Sequence, residues 1–282
     1  MSIILKPPAP DPMAEGASDS APRDRLLDPV ALRRAIDAGR VEVLYQPIVT
    51  VATREVAGFE ALARLRGEDG GLIPPDRFIP LAEETGLIVP LGEAVLRVAC
   101  AQAAAWAKAR LPVQTVSVNL SAKQADDPAL RRRVHAALKD AGLPAHRLVL
   151  ELTETTLFGG PHDATRTVTT LAGDGVRIVL DDFGTGWSSL AYLARFPISA
   201  LKIDRSFVQR MVEDPRRCGA IVQAIVGLAH TLGLESVAEG VETEAQRLFL
   251  QAYRCDRMQG YLIARPLRAA DATRMLENAA SG

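Results

Sequence analysis

Short apolar segments alternate with longer amphipathic stretches from Val43 to the C-terminal region, and this alternation is the tightest constraint on the fold. A strand buried on both faces reads as a brief apolar run, whereas a helix lying over it carries apolar residues every three or four positions. Repeated in turn, the two specify a mainly parallel sheet covered by helices. Strands are read at Val43–Val49, Glu55–Glu60, Val113–Asn119, Leu148–Glu151, Val176–Asp181, Ala200–Asp204, Ser236–Glu239 and Arg257–Gln259. Helical patterns fall at Pro75–Thr85, Leu91–Ala109, Pro128–Ala141, Pro161–Ala172, Ser188–Arg195, Ser206–Met211, Arg217–Leu232, Thr243–Ala252 and Ala269–Ala279. The first two strands break the rule. The link Ala52-Thr53-Arg54 is far shorter than the roughly twelve residues a parallel crossover needs, so they form an antiparallel hairpin. The pattern predicts an α/β fold, a single (β/α)8 TIM-like barrel with an antiparallel first strand. Two Rossmann-like halves are the competing architecture, but no glycine-rich turn follows an early strand, and Gly184-Thr185-Gly186-Trp187-Ser188-Ser189 comes late and fits the dinucleotide pattern only loosely.

Residues 1–24 are rich in Pro, Ala, Asp and Ser without apolar periodicity and are read as a disordered leader or linker, leaving residues 25–282 as the domain. At its start a helix is predicted over Pro29–Ala38, with Asp28 as N-cap, Pro29 at the first helical position and Gly39 just beyond the end.

Strand after strand ends on a residue that binds a hard cation or moves a proton. Phe59-Glu60, Val118-Asn119, Leu150-Glu151, Leu180-Asp181-Asp182, Ile203-Asp204, Ala238-Glu239 and Met258-Gln259 share this pattern. In a (β/α)8 barrel the C-terminal strand ends form one rim, so these oxygens converge on one mouth. Any one of them alone is explained by a helix cap or a loop acid; the joint pattern is not. Adjacent carboxylates such as Asp181 and Asp182 repel unless a proton or cation lies between them. Carboxylate and amide oxygens suit Mg²⁺, Mn²⁺ or Ca²⁺. So many carboxylates exceed what one Mg²⁺ takes from protein, which points to two ions about 3.5–4 Å apart and to in-line attack on a phosphate ester. Lys202 lies on the same strand face as Asp204, placed to orient the attacking water, to offset phosphate charge or to pair with a neighbouring carboxylate. Gly184 and Gly186 are expected to bend the chain so that both aspartates face the mouth, since a regular strand sends neighbours to opposite faces.

Composition removes other classes. With 33 basic and 34 acidic residues there is no charge signature of DNA, RNA or membrane-surface binding. Uninterrupted apolar runs fall short of the roughly 18–20 residues that span a bilayer, and Lys6 and a Pro-rich run follow Ile3-Ile4-Leu5 where a secretion signal needs a longer apolar core. The expectation is a cytoplasmic protein without membrane partners. Cys100, Cys218 and Cys255 lack CxxC spacing and read as reduced packing residues. The scattered His135, His146, His162 and His230 and the missing GxSxG elbow argue against a zinc centre or a serine triad.

Together these residues resemble the EAL-domain phosphodiesterases that hydrolyse the bacterial messenger cyclic di-GMP. The likeness runs from about Leu32 to Leu267 through Tyr45-Gln46-Pro47-Ile48-Val49, Glu60-Ala61-Leu62 with Arg64, Phe78-Ile79-Pro80-Leu81-Ala82-Glu83, Asn119-Leu120-Ser121, Glu151-Leu152-Thr153-Glu154, Asp181-Asp182-Phe183-Gly184-Thr185-Gly186, Leu201-Lys202-Ile203-Asp204, Ala238-Glu239-Gly240-Val241-Glu242 and Gln259-Gly260-Tyr261. The resemblance implies metal ligation by Glu60, Asn119, Glu151, Asp181, Asp182 and Glu239, with Asp181 bridging two ions, Mg²⁺ or Mn²⁺. It implies catalytic roles for Glu239, Lys202 and Glu60, and substrate contacts from Gln46, Arg64, Asp204, Gln259 and Glu242. Glu154, with Gly184 and Gly186, steadies the loop after Asp182, a loop that also serves a homodimer contact in the family. The product is linear pGpG, and Ca²⁺ is expected to inhibit, being larger and looser in geometry. Trp187 where Tyr is usual, and Ile263-Ala264 where Phe-Ser or Phe-Gly is commoner, depart from the pattern away from any ligand position. The alternative reading is a catalytically silent barrel acting as a cyclic di-GMP receptor or protein-interaction module; a barrel enzyme for another phosphate or an enolisable acid is a third.

Overall fold

The computed structural model describes residues 28–68, 70–158, 162–185, 193 and 196–281. The leader, Gly186, Trp187 and nearly all of the helix read at Ser188–Arg195 lie outside the described residues. The barrel begins with β1 (Val41–Thr50) and β2 (Val56–Arg66), antiparallel as the short link requires, with Gln46 opposite Glu60. Both run longer than the sequence reading, because Val41–Tyr45 pairs with Ala61–Leu65, so that Glu60 lies within β2 rather than at its end. A two-residue strand missed in the sequence, β3 (Leu72–Ile73), pairs with the end of β2. The parallel strands follow as β4 (Thr115–Asn119), β5 (Leu148–Thr153), β6 (Arg177–Phe183), β7 (Ala200–Ile203), β8 (Glu235–Ala238) and β9 (Arg257–Gln259). Their order is β1-β9-β8-β7-β6-β5-β4-β2, and β1 pairs back onto β2, so the sheet closes with β3 appended at the end of β2. β1 is antiparallel to both of its neighbours.

Around the sheet lie α1 (Pro29–Asp37), α2 (Pro75–Thr85), α3 (Ile88–Lys108), α4 (Ala122–Ala125), α5 (Leu130–Ala141), α6 (Glu154–Phe158), α7 (His162–Gly173), α8 (Arg205–Arg210), α9 (Ala220–Thr231), α10 (Glu244–Ala252) and α11 (Ala269–Ser281). The first opens as the sequence predicts: the Asp28 carboxylate accepts from the Ala31 amide at 2.7 Å and Pro29 occupies the first turn. By length and composition α3 is apolar enough to cross a bilayer. Its stripe of Leu91, Val95, Leu96, Ala99, Ala103 and Trp106, spaced three and four apart, is buried, as for a helix covering a sheet. Trp106 packs at 4.9 Å from Phe59 and 5.1 Å from Tyr45 (ring centroids), and its Nε1 donates to Thr273 Oγ1 of α11 at 2.8 Å.

Inside the barrel, strand periodicity builds layers. Val149, Val179, Ala200 and Val237 form a buried cluster with Ile48, and each of the first four stands two residues before Glu151, Asp181, Lys202 or Glu239. The same inward face is therefore apolar one step below the rim and ionic at it. Lower still, Glu235 pairs with Arg177 at 2.5 Å and with Arg257 at 2.8 Å.

Candidate active site

The ionic layer is organised by one buried ammonium. Lys202, 1% exposed, projects from β7 to Glu239 after β8 at 2.5 Å, Glu151 on β5 at 2.6 Å, Asp181 on β6 at 3.5 Å and Glu60 on β2 at 3.8 Å. Four strands thus deliver four carboxylates to one cation. A lysine buried among so many acids keeps its proton: burial pulls its pKa down, but the surrounding carboxylates raise it well above the usual value. The carboxylates respond in the opposite sense. Burial, with repulsion from Asp181 and Glu60, pushes Glu239 up to about 8, and burial pushes Glu151 to about 8 despite Lys202; Asp181 is raised too, again chiefly by burial.

Glu60 is fixed from two further strands. Asn119 Nδ2 donates to its Oε1 at 2.7 Å and Gln259 Nε2 to its Oε2 at 2.5 Å, while the same Gln259 nitrogen reaches Gln46 Oε1 at 3.1 Å. Gln259 Oε1 is left buried without a partner, an acceptor available to a donor on a ligand.

Asp181 and Asp182 reach the same mouth by a backbone irregularity. The β6–β7 register slips between Leu180 and Phe183, and Asp182 adopts φ +53, the left-handed region that a non-glycine residue seldom enters. The Asp182 amide turns back onto Asp181 Oδ1 at 2.8 Å. The reversal therefore begins in the aspartate itself and continues into Gly184, one of the two glycines of the sequence reading; Gly186 lies outside the described residues. Gly184 has φ +95 and lies against α8 and α9, since a Cβ there would meet Phe207 at 3.1 Å and Ile225 at 3.3 Å. Its amide donates to Glu154 Oε1 at 3.0 Å, so the turn is tied to β5's end as well.

Asp181, Asp182 and Glu239 offer carboxylate oxygens within 4.8 Å of one another. A donor set of hard oxygens at this spacing fits a divalent cation such as Mg²⁺ or Mn²⁺. Around it opens a cavity of about 240 Å³. Its walls include Gln46, Glu60, Arg64, Asn119, Asp181, Asp182, Glu239, Glu242 and Gln259 from the sequence reading. Lys202, Glu151 and Glu154 lie behind that wall. Asp204, 1% exposed, is not in it: its Oδ1 accepts from the Ser206 amide at 2.9 Å and caps α8. The cavity also takes in Arg205, Gln209 and Tyr261, and an apolar side made by Ile79, Ile88, Leu91 and Val95, none of which the sequence reading singled out as site residues. Arg205 follows a strand end directly, which is a usable signal; Gln209 is one helical turn on and gives none.

The EAL domain family model matches residues 30–266. Similar proteins include the "Bifunctional diguanylate cyclase/cyclic di-GMP phosphodiesterase MucR" of Pseudomonas aeruginosa, 44% identical over 84% of this chain and 35% of its own length. The "Cyclic di-GMP phosphodiesterase NbdA" of the same organism is 44% identical over 85% of this chain and 30% of its own. The chain thus spans about a third of the length of these relatives. Among solved structures, the PaMucR phosphodiesterase in complex with c-di-GMP superposes with a TM-score of 0.81 at 44% identity, covering 86% of this chain and 97% of the other. With its namesake Glu60-Ala61-Leu62 on the second barrel strand and a family match over most of its length, the chain belongs to the EAL domain family.

Proposed function

We propose that this chain hydrolyses cyclic di-GMP to linear pGpG with the help of two divalent ions, Mg²⁺ or Mn²⁺. The observation that carries the reading is the charge of the rim. Glu60, Glu151, Asp181, Asp182 and Glu239 set five carboxylates against the Lys202 ammonium, a formal excess of four negative charges, which two divalent cations balance. Relatives named as cyclic di-GMP phosphodiesterases, and a neighbouring structure that holds c-di-GMP, support this choice of substrate.

Glu60, Asn119, Glu151, Asp181, Asp182 and Glu239 would hold the ions. When bound, the ions supply Lewis acidity to the phosphodiester and lower the pKa of the attacking water. Lys202, held protonated behind the cavity wall, anchors Glu151 and Glu239 and supplies positive charge beneath the charge growing on the phosphate. Glu239, beside it, fixes the lysine's direction. Arg64, whose Nη1 is anchored on the Ala63 carbonyl at 2.9 Å, faces the cavity as a counter-charge for phosphate. Gln46, Gln259 and Glu242 offer amide and carboxylate groups to the nucleotide, and Asp204 supports the substrate side through the start of α8. Glu154 keeps the turn after Asp182 in place. In the family resemblance that turn also serves a homodimer, and with three buried free thiols the reading is a cytoplasmic dimer.

The test is incubation of purified protein with cyclic di-GMP and Mg²⁺ or Mn²⁺, with chromatography for pGpG. Product formation, suppressed by EDTA and by excess Ca²⁺, is the expected result. Tight binding without product would replace the enzyme by a receptor, and an unchanged rate in Ca²⁺ would remove the two-ion picture.

A further inference from the structure

The turn after β8 carries Glu239 at the ionic layer and Glu242 at the cavity wall, and two glutamines outside the metal set hold that turn. Gln246 of α10, 6% exposed, accepts through Oε1 from the Glu242 amide at 2.7 Å and from the Thr243 amide at 2.9 Å. Thr243 Oγ1 accepts in return from the Gln246 amide at 3.2 Å, completing a capping box at the start of α10. The Gln246 side chain then reaches across to α8, where Nε2 donates to the Gln209 carbonyl at 3.5 Å. From α8 the Gln209 side chain comes back: its Nε2 donates to Glu242 Oε1 at 3.2 Å. Gly240, at φ +66, lets the turn lie against α8, since a Cβ there would stand 2.6 Å from the Cβ of Arg205.

One glutamine therefore fixes the backbone of Glu242 and the other its carboxylate. An exposed glutamate left to itself spreads over many rotamers. Held this way, it keeps one oxygen beside the Gln209 amide and has acceptor sites left for the cavity. A carboxylate accepts well from two parallel N–H donors. Guanine presents such a pair on its N1–H and 2-amino edge; adenine presents an acceptor at N1. We infer that Gln209 and Gln246 are positioning residues that set Glu242 as the acceptor for the paired N–H donors of a guanine edge. This rests on the cyclic di-GMP reading above and adds to it the source of base selectivity at the rim.

Binding is measured by calorimetry in Ca²⁺, which needs no turnover, with cyclic di-GMP and with its inosine analogue, which keeps N1–H and lacks the 2-amino group. Wild-type protein is expected to prefer cyclic di-GMP several-fold. Gln209→Ala should weaken cyclic di-GMP several-fold, leave the inosine analogue nearer to its wild-type value, and keep Mn²⁺ affinity. Gln246→Ala should do the same, while Gln246→Glu, which keeps the capping acceptor but loses the donor to the Gln209 carbonyl, should restore binding in part. Glu242→Gln combined with Gln209→Ala should cost little more than Glu242→Gln alone. The inference falls if Gln209→Ala leaves the preference between the two nucleotides unchanged, if Mn²⁺ affinity drops in step with nucleotide affinity, or if Gln246→Glu behaves like Gln246→Ala. A wild-type protein that binds and discriminates without turning over cyclic di-GMP would overturn the catalytic reading and leave this one standing. A wild type that binds neither nucleotide would end both.

Discussion

Asp182 shows at the residue scale how the site departs from a regular strand. Two consecutive strand residues point to opposite faces, yet here both carboxylates reach one mouth because Asp182 turns into the left-handed region and β6 slips its register. That geometry is held from three sides, by the Asp181 carboxylate, by Glu154 on the Gly184 amide, and by Phe207 and Ile225 beneath Gly184. Gly184→Val should therefore weaken Mn²⁺ binding by about ten-fold or more, because a branched residue is strained at φ +95 and has no room against Phe207. Calorimetric Mn²⁺ titration of the variant checks this; wild-type affinity would show that the turn does not aim Asp182. Glu60→Ala and Asp181→Asn should lower turnover by more than about 100-fold, since even outer partners of metal ligands cost 10–100-fold. Circular dichroism should show the fold retained, as both side chains belong to the rim.

At the scale of elements, the hairpin and α3 decide how the barrel closes. β1 pairs antiparallel with both β2 and β9, and its Gln46 stands opposite Glu60, so closure itself brings an amide proposed for the substrate side next to a proposed metal ligand. The outer face of the same strands is locked by Trp106, 1% exposed, between Tyr45 and Phe59, with a hydrogen bond to α11. Trp106→Ala should cost about 3–5 kcal/mol of stability from lost burial and the cavity left behind. Chemical denaturation with an unchanged m-value measures it, and a loss below about 1 kcal/mol would mean that α3 is not pinned through this residue. Gly260→Ala is expected to disturb the rim end of β9, because its Cβ would fall 2.1 Å from the Val241 carbonyl oxygen, a backbone atom with no rotamer to escape into. Reduced cyclic di-GMP affinity with little change in far-UV circular dichroism is the expected signature.

For the whole molecule, stability and metal binding are linked through protons. Glu151 and Glu239 are raised to about 8 in the metal-free fold, against about 4.3 for an unfolded glutamate. Between those values the folded state holds protons that the unfolded state has released, so metal-free stability is fully present below about pH 4.3 and declines as pH rises towards 8. The slope is up to about 1.4 kcal/mol per pH unit for each retained proton. Lys202, raised rather than lowered, keeps its charge across this window and does not offset the trend. Thermal melts in EDTA should thus fall between pH 5 and 8. Saturating Mg²⁺ or Mn²⁺ should flatten the curve, and metal affinity should strengthen over the same range because binding displaces those protons. A metal-free Tm independent of pH would contradict the buried ionic layer.

The alternation of strand and helix, the antiparallel start and the chemistry of the rim are written locally in the chain. These are local properties: burial on two faces makes an apolar run, and a three-residue link cannot cross a barrel; Asn119 and Gln259 end their strands and Glu239 follows one, while Glu60, Glu151 and Asp181 lie within theirs. Tertiary structure alone decided how those oxygens meet. Nothing near Lys202 in sequence announces that carboxylates from β2, β5, β6 and the end of β8 will surround it, because strand register and barrel closure are set by pairing across the sheet. Nor does the chain near Glu242 reveal Gln209, which lies 33 residues away and is brought beside it by the packing of α8 against the turn after β8. Asp204 marks the same limit from the other side: its place at a strand end reads as rim chemistry, and the helix that begins immediately after it draws its carboxylate into a cap.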